Sequence, residues 1–332
     1  MEGFHRFSVA ESEFDARAGS FAAPMVLSYC ALRARLRTEL RDVLELVLLP
    51  GLAAILPWRW CFLVFQQLAH MRWLYRTPCE EALRQARERN WAGTDEERWL
   101  WVRRLVTLVD HADHYLCLWR SDKWMQKHLQ VEGAWPSNEQ AVLLLTFHWG
   151  AGFWGLRHAA AQGLRPHALV ASLESQAFQG RTVLSWYARS RNANVARTLG
   201  ASTIDVARQL KKVIRALHDK HALLGVVDVP ADEVKASMVI ELLGMQASVP
   251  RGLLRLAVEQ QVPVVIYITG LNMRSGQRFL RIKPMGSSAM VDDLAARVYG
   301  ELAQLIAEEP SAWHFWSIAE RFFRPPATIC EP

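Results

Sequence analysis

From residue 141 onward, apolar runs of strand length alternate with stretches in which apolar residues recur every three or four positions. The runs at 141–147, 167–172, 222–228, 237–242, 263–269 and 278–283 predict strands. The amphipathic stretches at 151–162, 177–189, 203–218, 250–260 and 290–307 predict helices. Such alternation implies an α/β fold with a mainly parallel central sheet flanked by helices. Ahead of it the rhythm is helical. Helices are predicted at 32–46, 80–90 and 94–124, the last capped by Thr94 with Glu97 three positions on. The rhythm changes near 133–138, which divides the chain into a helical region, 1–135, and an α/β region, 136–332.

Between the first two helices, residues 46–75 are strongly apolar but interrupted by Pro50, Gly51 and Pro57, and by the charge of Arg59. A spanning helix needs about 20 apolar residues in sequence. The segment therefore predicts a helical hairpin lying in a membrane interface, with Trp58, Trp60, Trp73 and Tyr75 at headgroup level, or else an ordinary buried helix pair. Composition sharpens this picture: of 14 Trp, 11 fall at or before Trp154.

Charge is uneven. The chain carries +6 overall, yet residues 181–220 hold nine basic residues, among them Arg189 and Arg191, against two acids, Asp205 and Asp219. That local +7 suits phosphate groups, an anionic membrane surface or an acidic protein partner, though a merely solvated helical face would look the same. The five cysteines are odd in number, widely spaced and never in a CxxC pair, so neither a disulfide framework nor a zinc site is indicated. The first fifteen residues are mixed and include four acids, unlike a signal peptide, so export is not expected. His111 and His114 lie one helical turn apart, but no cluster completes a coordination sphere and no metal is expected.

Candidate chemistry starts at His148. It closes the apolar run 141–147, and the small-residue turn Gly150-Ala151-Gly152 then leads into a helix. Open α/β sheets place their sites at this carboxyl end of the strands. A histidine there is either a core residue with one hydrogen bond or a base. A general base needs its other ring nitrogen held, usually by a carboxylate. Asp228 ends the run 222–228 in the same manner, so the two residues should meet at one sheet edge, with Phe153 lining an apolar wall beside His148; Asp228 could instead cap a turn with Pro230. Phosphate loops, GxGxxG, GxSxG and HExxH are all absent, which disfavours kinases, dinucleotide dehydrogenases, serine hydrolases and zinc proteases.

Taken in order, several blocks resemble the bacterial lipid A late acyltransferase family of the lysophospholipid acyltransferase superfamily. They are Leu56-Pro57-Trp58-Arg59, the block from Val142 to Trp154, Val227-Asp228-Val229-Pro230, Leu243-Gly244 through Pro250-Arg251-Gly252, Pro263-Val264-Val265, and Pro310 through Trp316 with Arg321 and Arg324-Pro325. One position departs from the family pattern: its histidine is followed five positions on by Asp or Glu, and here that position is Phe153.

The resemblance implies acyl transfer from a thioester carrying phosphopantetheine to a lipid or lipid-like hydroxyl or amine, with no other cofactor. His148 would be the base, oriented by Asp228. Backbone N–H groups around Gly150 to Gly152, or an arginine, would meet the oxyanion. Arg189 and Arg191, with Arg251 a weaker candidate, would bind donor or acceptor phosphate. The implied partners are acyl carrier protein, or acyl-CoA, a lipid acceptor and the cytoplasmic face of the inner membrane, with no nucleic acid. The alternative is a non-catalytic lipid- or acyl-binding relative.

Overall fold

The computed structural model describes residues 23–170, 178, 180–206 and 208–323, with side chains from residue 31 onward. Cys330, Arg324 and Pro325 lie outside the described residues.

The chain opens with helix α1 (Ala23–Asp42), which runs through a π-helical segment (Val43–Leu48) into α2 (Leu49–Ile55). Pro50 fits because its missing N–H falls in the first turn of α2. Helix α3 (Trp58–Ala69) follows, then α4 (Arg76–Glu88), α5 (Glu96–Trp119) and α6 (Asp122–Lys127). The expected cap at Thr94 is corrected by one residue: the Asp95 carboxylate accepts the Arg98 N–H. A carboxylate at that position also meets the positive end of the helix dipole.

Two of the four aromatic residues expected at headgroup level are core residues. Trp58 is buried and donates its indole N–H to the Gly276 carbonyl at 2.9 Å. Tyr75 is buried and donates its hydroxyl to the Glu45 carbonyl at 2.7 Å, while its backbone N–H reaches the Glu45 carboxylate. Those bonds hold Tyr75 in a left-handed conformation, φ 47°, at the start of α4. Trp60 and Trp73 are exposed. Among the described residues no helix is long and apolar enough to cross a membrane.

Seven strands form the central sheet in the order β1-β9-β8-β2-β5-β3-β4. They are β1 (Leu129–Glu132), β2 (Val142–Thr146), β3 (His167–Val170), β4 (Ile204–Asp205), β5 (Ala222–Val226), β8 (Val264–Leu271) and β9 (Arg278–Gly286). Every pairing is parallel except β8 with β9. The expected strand at 237–242 exists as β6 (Ser237–Leu242), but it belongs to a separate hairpin with β7 (Met245–Pro250), joined through Leu243 and Gly244, both at positive φ. Its alternating exposure fits a two-stranded ribbon rather than a buried central strand.

Helices α7 (Phe153–Ala161), α8 (Thr182–Leu199), α9 (Leu210–His218), α10 (Gly252–Glu259) and α11 (Val291–Glu308) cover the sheet. Two differ from the sequence pattern. α8 runs ten residues past its expected end at 189, because Asn194, polar by type, is buried and bonded to His114, and Gly200 in the left-handed region closes the helix. α9 starts seven residues late because Ile204 and Asp205 pair with β3.

Both faces of β2 are buried, as a central parallel strand requires. Leu143 and Leu145 face one core and Val142 and Leu144 the other, and α5 contributes to both: Trp99, Val102 and Val106 to the first, Leu105, Leu108, Ala112 and Leu116 to the second. The helical front therefore shares its cores with the sheet, and β1, from before the change of rhythm near 133–138, pairs with β9. A buried ion pair joins these parts. Arg278 of β9 pairs with Asp113 of α5, and its guanidinium stacks 4.1 Å from the ring centres of both Trp58 and Trp154.

Candidate functional site

β2 and β5 pair in parallel with Thr146 opposite Val226, so the residues two beyond each strand, His148 and Asp228, emerge side by side. The Asp228 carboxylate is 1% exposed and receives four contacts. The backbone N–H of His148 donates to both carboxylate oxygens at 2.9 Å, the His148 ring approaches Oδ1 through Nδ1 at 3.0 Å, and the Trp313 indole N–H donates to Oδ2 at 2.9 Å. With Nδ1–H given to Asp228, the neutral imidazole carries its lone pair on Nε2. The His148 side chain remains 37% exposed, so a bound molecule can reach it.

The aromatic ring beside His148 is Phe315, with ring centres 4.1 Å apart, and not Phe153 as expected. Phe153 is buried on the α7 side, facing the Arg191 guanidinium at 4.7 Å and the His114 ring at 6.0 Å. It begins a helix whose first turn packs inward, so a residue five past the histidine is carried away from it.

The turn after His148 is held from two sides. Gly150 adopts φ +71°, and a Cβ there would sit 2.3 Å from the Thr269 carbonyl oxygen, so only glycine fits. Its N–H donates to the Ala312 carbonyl at 3.1 Å, and the Ala151 N–H donates to the Thr269 carbonyl at 3.0 Å. These two donors are consumed, which removes Gly150 from the expected oxyanion set. The Gly152 N–H, at the start of α7, has no hydrogen-bond acceptor among the described residues, and a Cβ on Gly152 would meet nothing within 4 Å. The segment 309–316 completes the brace: the His314 N–H donates to the His148 carbonyl at 2.7 Å, and its ring Nε2 lies 2.7 Å from the Gly150 carbonyl. Burial pushes the His314 imidazole down to about 4, so it is neutral and donates Nε2–H. Arg103 of α5 in turn donates to the Trp313 and His314 carbonyls at 2.8 and 2.7 Å.

The basic candidates are not gathered at His148. Arg191 is spent on Asp110, whose two oxygens it meets at 2.8 Å, and it also donates to the Tyr187 hydroxyl at 3.2 Å. Burial alone would raise the Asp110 carboxyl, yet Arg191 holds it down at about 2. A phosphate at Arg191 would have to compete with this pair. Arg251 is exposed at the start of α10, its N–H bonded to the Ala236 carbonyl at 3.0 Å. Arg189 lines an open groove of about 630 Å³ along α8, together with Arg181, Thr182, Ser185 and Trp186. Neither His148 nor Asp228 lines this groove.

A serine–histidine pair borders that groove. Ser190 Oγ lies 3.3 Å from His114 Nε2, but the Asn194 amide nitrogen bonds both the His114 carbonyl and its Nδ1, each at 3.2 Å. Nδ1 is thus an acceptor, Nε2 carries the proton, and Ser190 accepts rather than gives one, which is the wrong tautomer for a nucleophile. His111 is likewise occupied by the Tyr187 hydroxyl at 2.7 Å. Burial pushes the thiols of Cys61, Cys79 and Cys117 up to about 12, 11 and 12, so none of them supplies a thiolate.

Trp313, His314, Phe315 and Arg103 have no role assigned by sequence reasoning. The aromatic density of 313–316 was a usable signal, but Arg103 was not distinguishable from the other basic residues of an amphipathic helix. No protein-family model matches this chain, and no curated protein sequence matches it.

Proposed function

We propose that the protein is an acyltransferase that moves an acyl chain from a thioester to a lipid or lipid-like hydroxyl or amine, with His148 as general base and Asp228 as its orienting acid. The observation that carries this reading is the His148–Asp228 contact at the carboxyl edge of the sheet, 3.0 Å from Nδ1 to Oδ1, with the ring still open to solvent. His148 Nε2 takes the acceptor proton as the hydroxyl or amine attacks the thioester carbonyl. The C–S bond then breaks, and the imidazolium returns the proton to the departing thiolate. Asp228 stabilises the imidazolium formed between these steps. With Gly150 and Ala151 already bonded, the Gly152 N–H is the backbone donor left for the oxyanion.

The family resemblance supports the same reading, with the orienting acid coming from the end of β5 rather than from the position of Phe153. A carrier protein suits the donor role better than coenzyme A, because acyl carrier proteins are acidic and residues 208–220 expose Arg208, Lys211, Lys212, Arg215 and Lys220. The exposed Trp60, Leu63 and Trp119 support peripheral contact with a membrane.

The deciding experiment incubates purified protein with acyl carrier protein thioesters or acyl-CoA and total bacterial lipid extract, read by mass spectrometry. An acylated lipid that appears with wild type and is lost with His148→Ala supports the reading. Absence of transfer from every thioester, with binding of acylated carrier or lipid retained, would replace it with a non-catalytic binding protein.

A further inference from the structure

Helix α1 presents two rows of side chains about a quarter-turn apart, as 100° per residue places them. The first row, Leu32, Leu36 and Leu40, is exposed, and Leu48 continues the apolar exposure at the end of the π-helical segment. Arg33 and Arg37 flank the row and are exposed as well. The second row, Arg35, Glu39 and Asp42, grips the start of α8. The Glu39 carboxylate accepts the N–H groups of Thr182 and Val183 at 2.6 and 2.9 Å, buried Asp42 pairs with Arg181, and Arg35 donates to the Gly180 carbonyl at 3.3 Å. Gly180, Arg181 and Thr182 are also part of the wall of the groove along α8.

A bare leucine row edged by arginines matches the chemistry of an anionic phospholipid surface: apolar side chains enter the acyl boundary while guanidinium groups meet phosphate. We propose that α1 lies on an anionic membrane through Leu32, Leu36 and Leu40 and, through Glu39 and Asp42, couples that contact to the groove wall at residues 180–186. Membrane contact would then reinforce the grip of α1 on the groove wall, which favours occupancy at the surface where a lipid acceptor resides. This inference rests on the membrane part of the function proposed above, not on the acyl-transfer step.

The test uses the full chain with vesicles of phosphatidylcholine alone or mixed with phosphatidylglycerol, followed by co-sedimentation and by hydrogen exchange. Wild type should bind the mixed vesicles, and a Leu36→Glu, Leu40→Glu double variant should bind about tenfold or more weakly. On the vesicles, amide exchange should slow both in α1 and at 180–186. In Glu39→Gln, which keeps the Asp42–Arg181 pair, it should slow in α1 and much less at 180–186. Slowing at 180–186 in Glu39→Gln equal to that in wild type would overturn the coupling, and equal binding to both vesicle types would overturn the anionic requirement. If the leucine variant binds as wild type while Trp60→Glu releases the protein, this proposal fails and peripheral membrane contact stands. If wild type ignores both vesicle types, both fail.

Discussion

Asparagine at position 228 would keep the shape of the side chain and lose its function as a universal acceptor. Asp228 takes donors on both oxygens, from the His148 N–H, the His148 ring and the Trp313 indole. An amide must turn its NH2 toward at least one of them, and it offers no charge to stabilise an imidazolium. We expect Asp228→Asn to lower kcat by about 10² to 10⁴, alongside a loss of about 10² or more for His148→Ala, measured as initial rates of acyl transfer. Trp313→Phe keeps the ring and deletes one charge-assisted donor, so kcat should fall by only about tenfold with KM held. Trp313 is on this argument a positioning residue, since it touches Asp228 and not the reacting atoms. An equal loss in Trp313→Phe and Asp228→Asn would mean that the indole does more than orient.

At the scale of elements, the Asp110–Arg191 pair links α5 to α8 and changes what an arginine substitution should do. Arg191→Ala would leave the half-buried Asp110 without its cation, a loss of roughly 1–3 kcal/mol, less than for a fully buried pair, visible as a lower urea midpoint. Arg189→Ala, on the groove, should raise KM for whichever substrate the groove holds. The two arginines are two positions apart and look alike in sequence, because a one-dimensional pattern does not report which face of α8 meets α5. The same limit explains other differences. The apolar runs that became β2, β5 and β8 were readable because both their faces are buried, and their ends put His148 and Asp228 at one edge. β1, β4 and β7 were not, being short, half-exposed or without a run of β-branched residues. Trp58 and Trp60 read as one interfacial pair, yet the 100° steps of α3 send the first inward to Arg278 and the second outward.

For the molecule as a whole, pH should act through histidines kept neutral. Burial pushes His111 down to about 3 and His114 and His314 to about 4, all below the usual 6.5. Between those values the unfolded chain binds more protons than the folded one, so stability is full above pH about 6.5 and declines as pH falls toward 4. The Asp110 carboxyl, held at about 2 against 3.8, adds a further loss only below about pH 3.8. Urea midpoints measured from pH 7.5 to 4 should fall throughout the lower half of that range; a flat profile would contradict the buried neutral assignments. The sheet order carries one more consequence. β1 has its partner in β9, and Asp113 meets Arg278 across 165 residues of chain. A ribosome that has released the helical front still holds the strand and the guanidinium that close both cores, so the apolar stripes of α5 must wait in the open until β9 has emerged. Folding during synthesis is thereby deferred to a late, concerted step, and a nascent chain stalled before Arg278 should be a strong client for chaperones and an easy target for proteases.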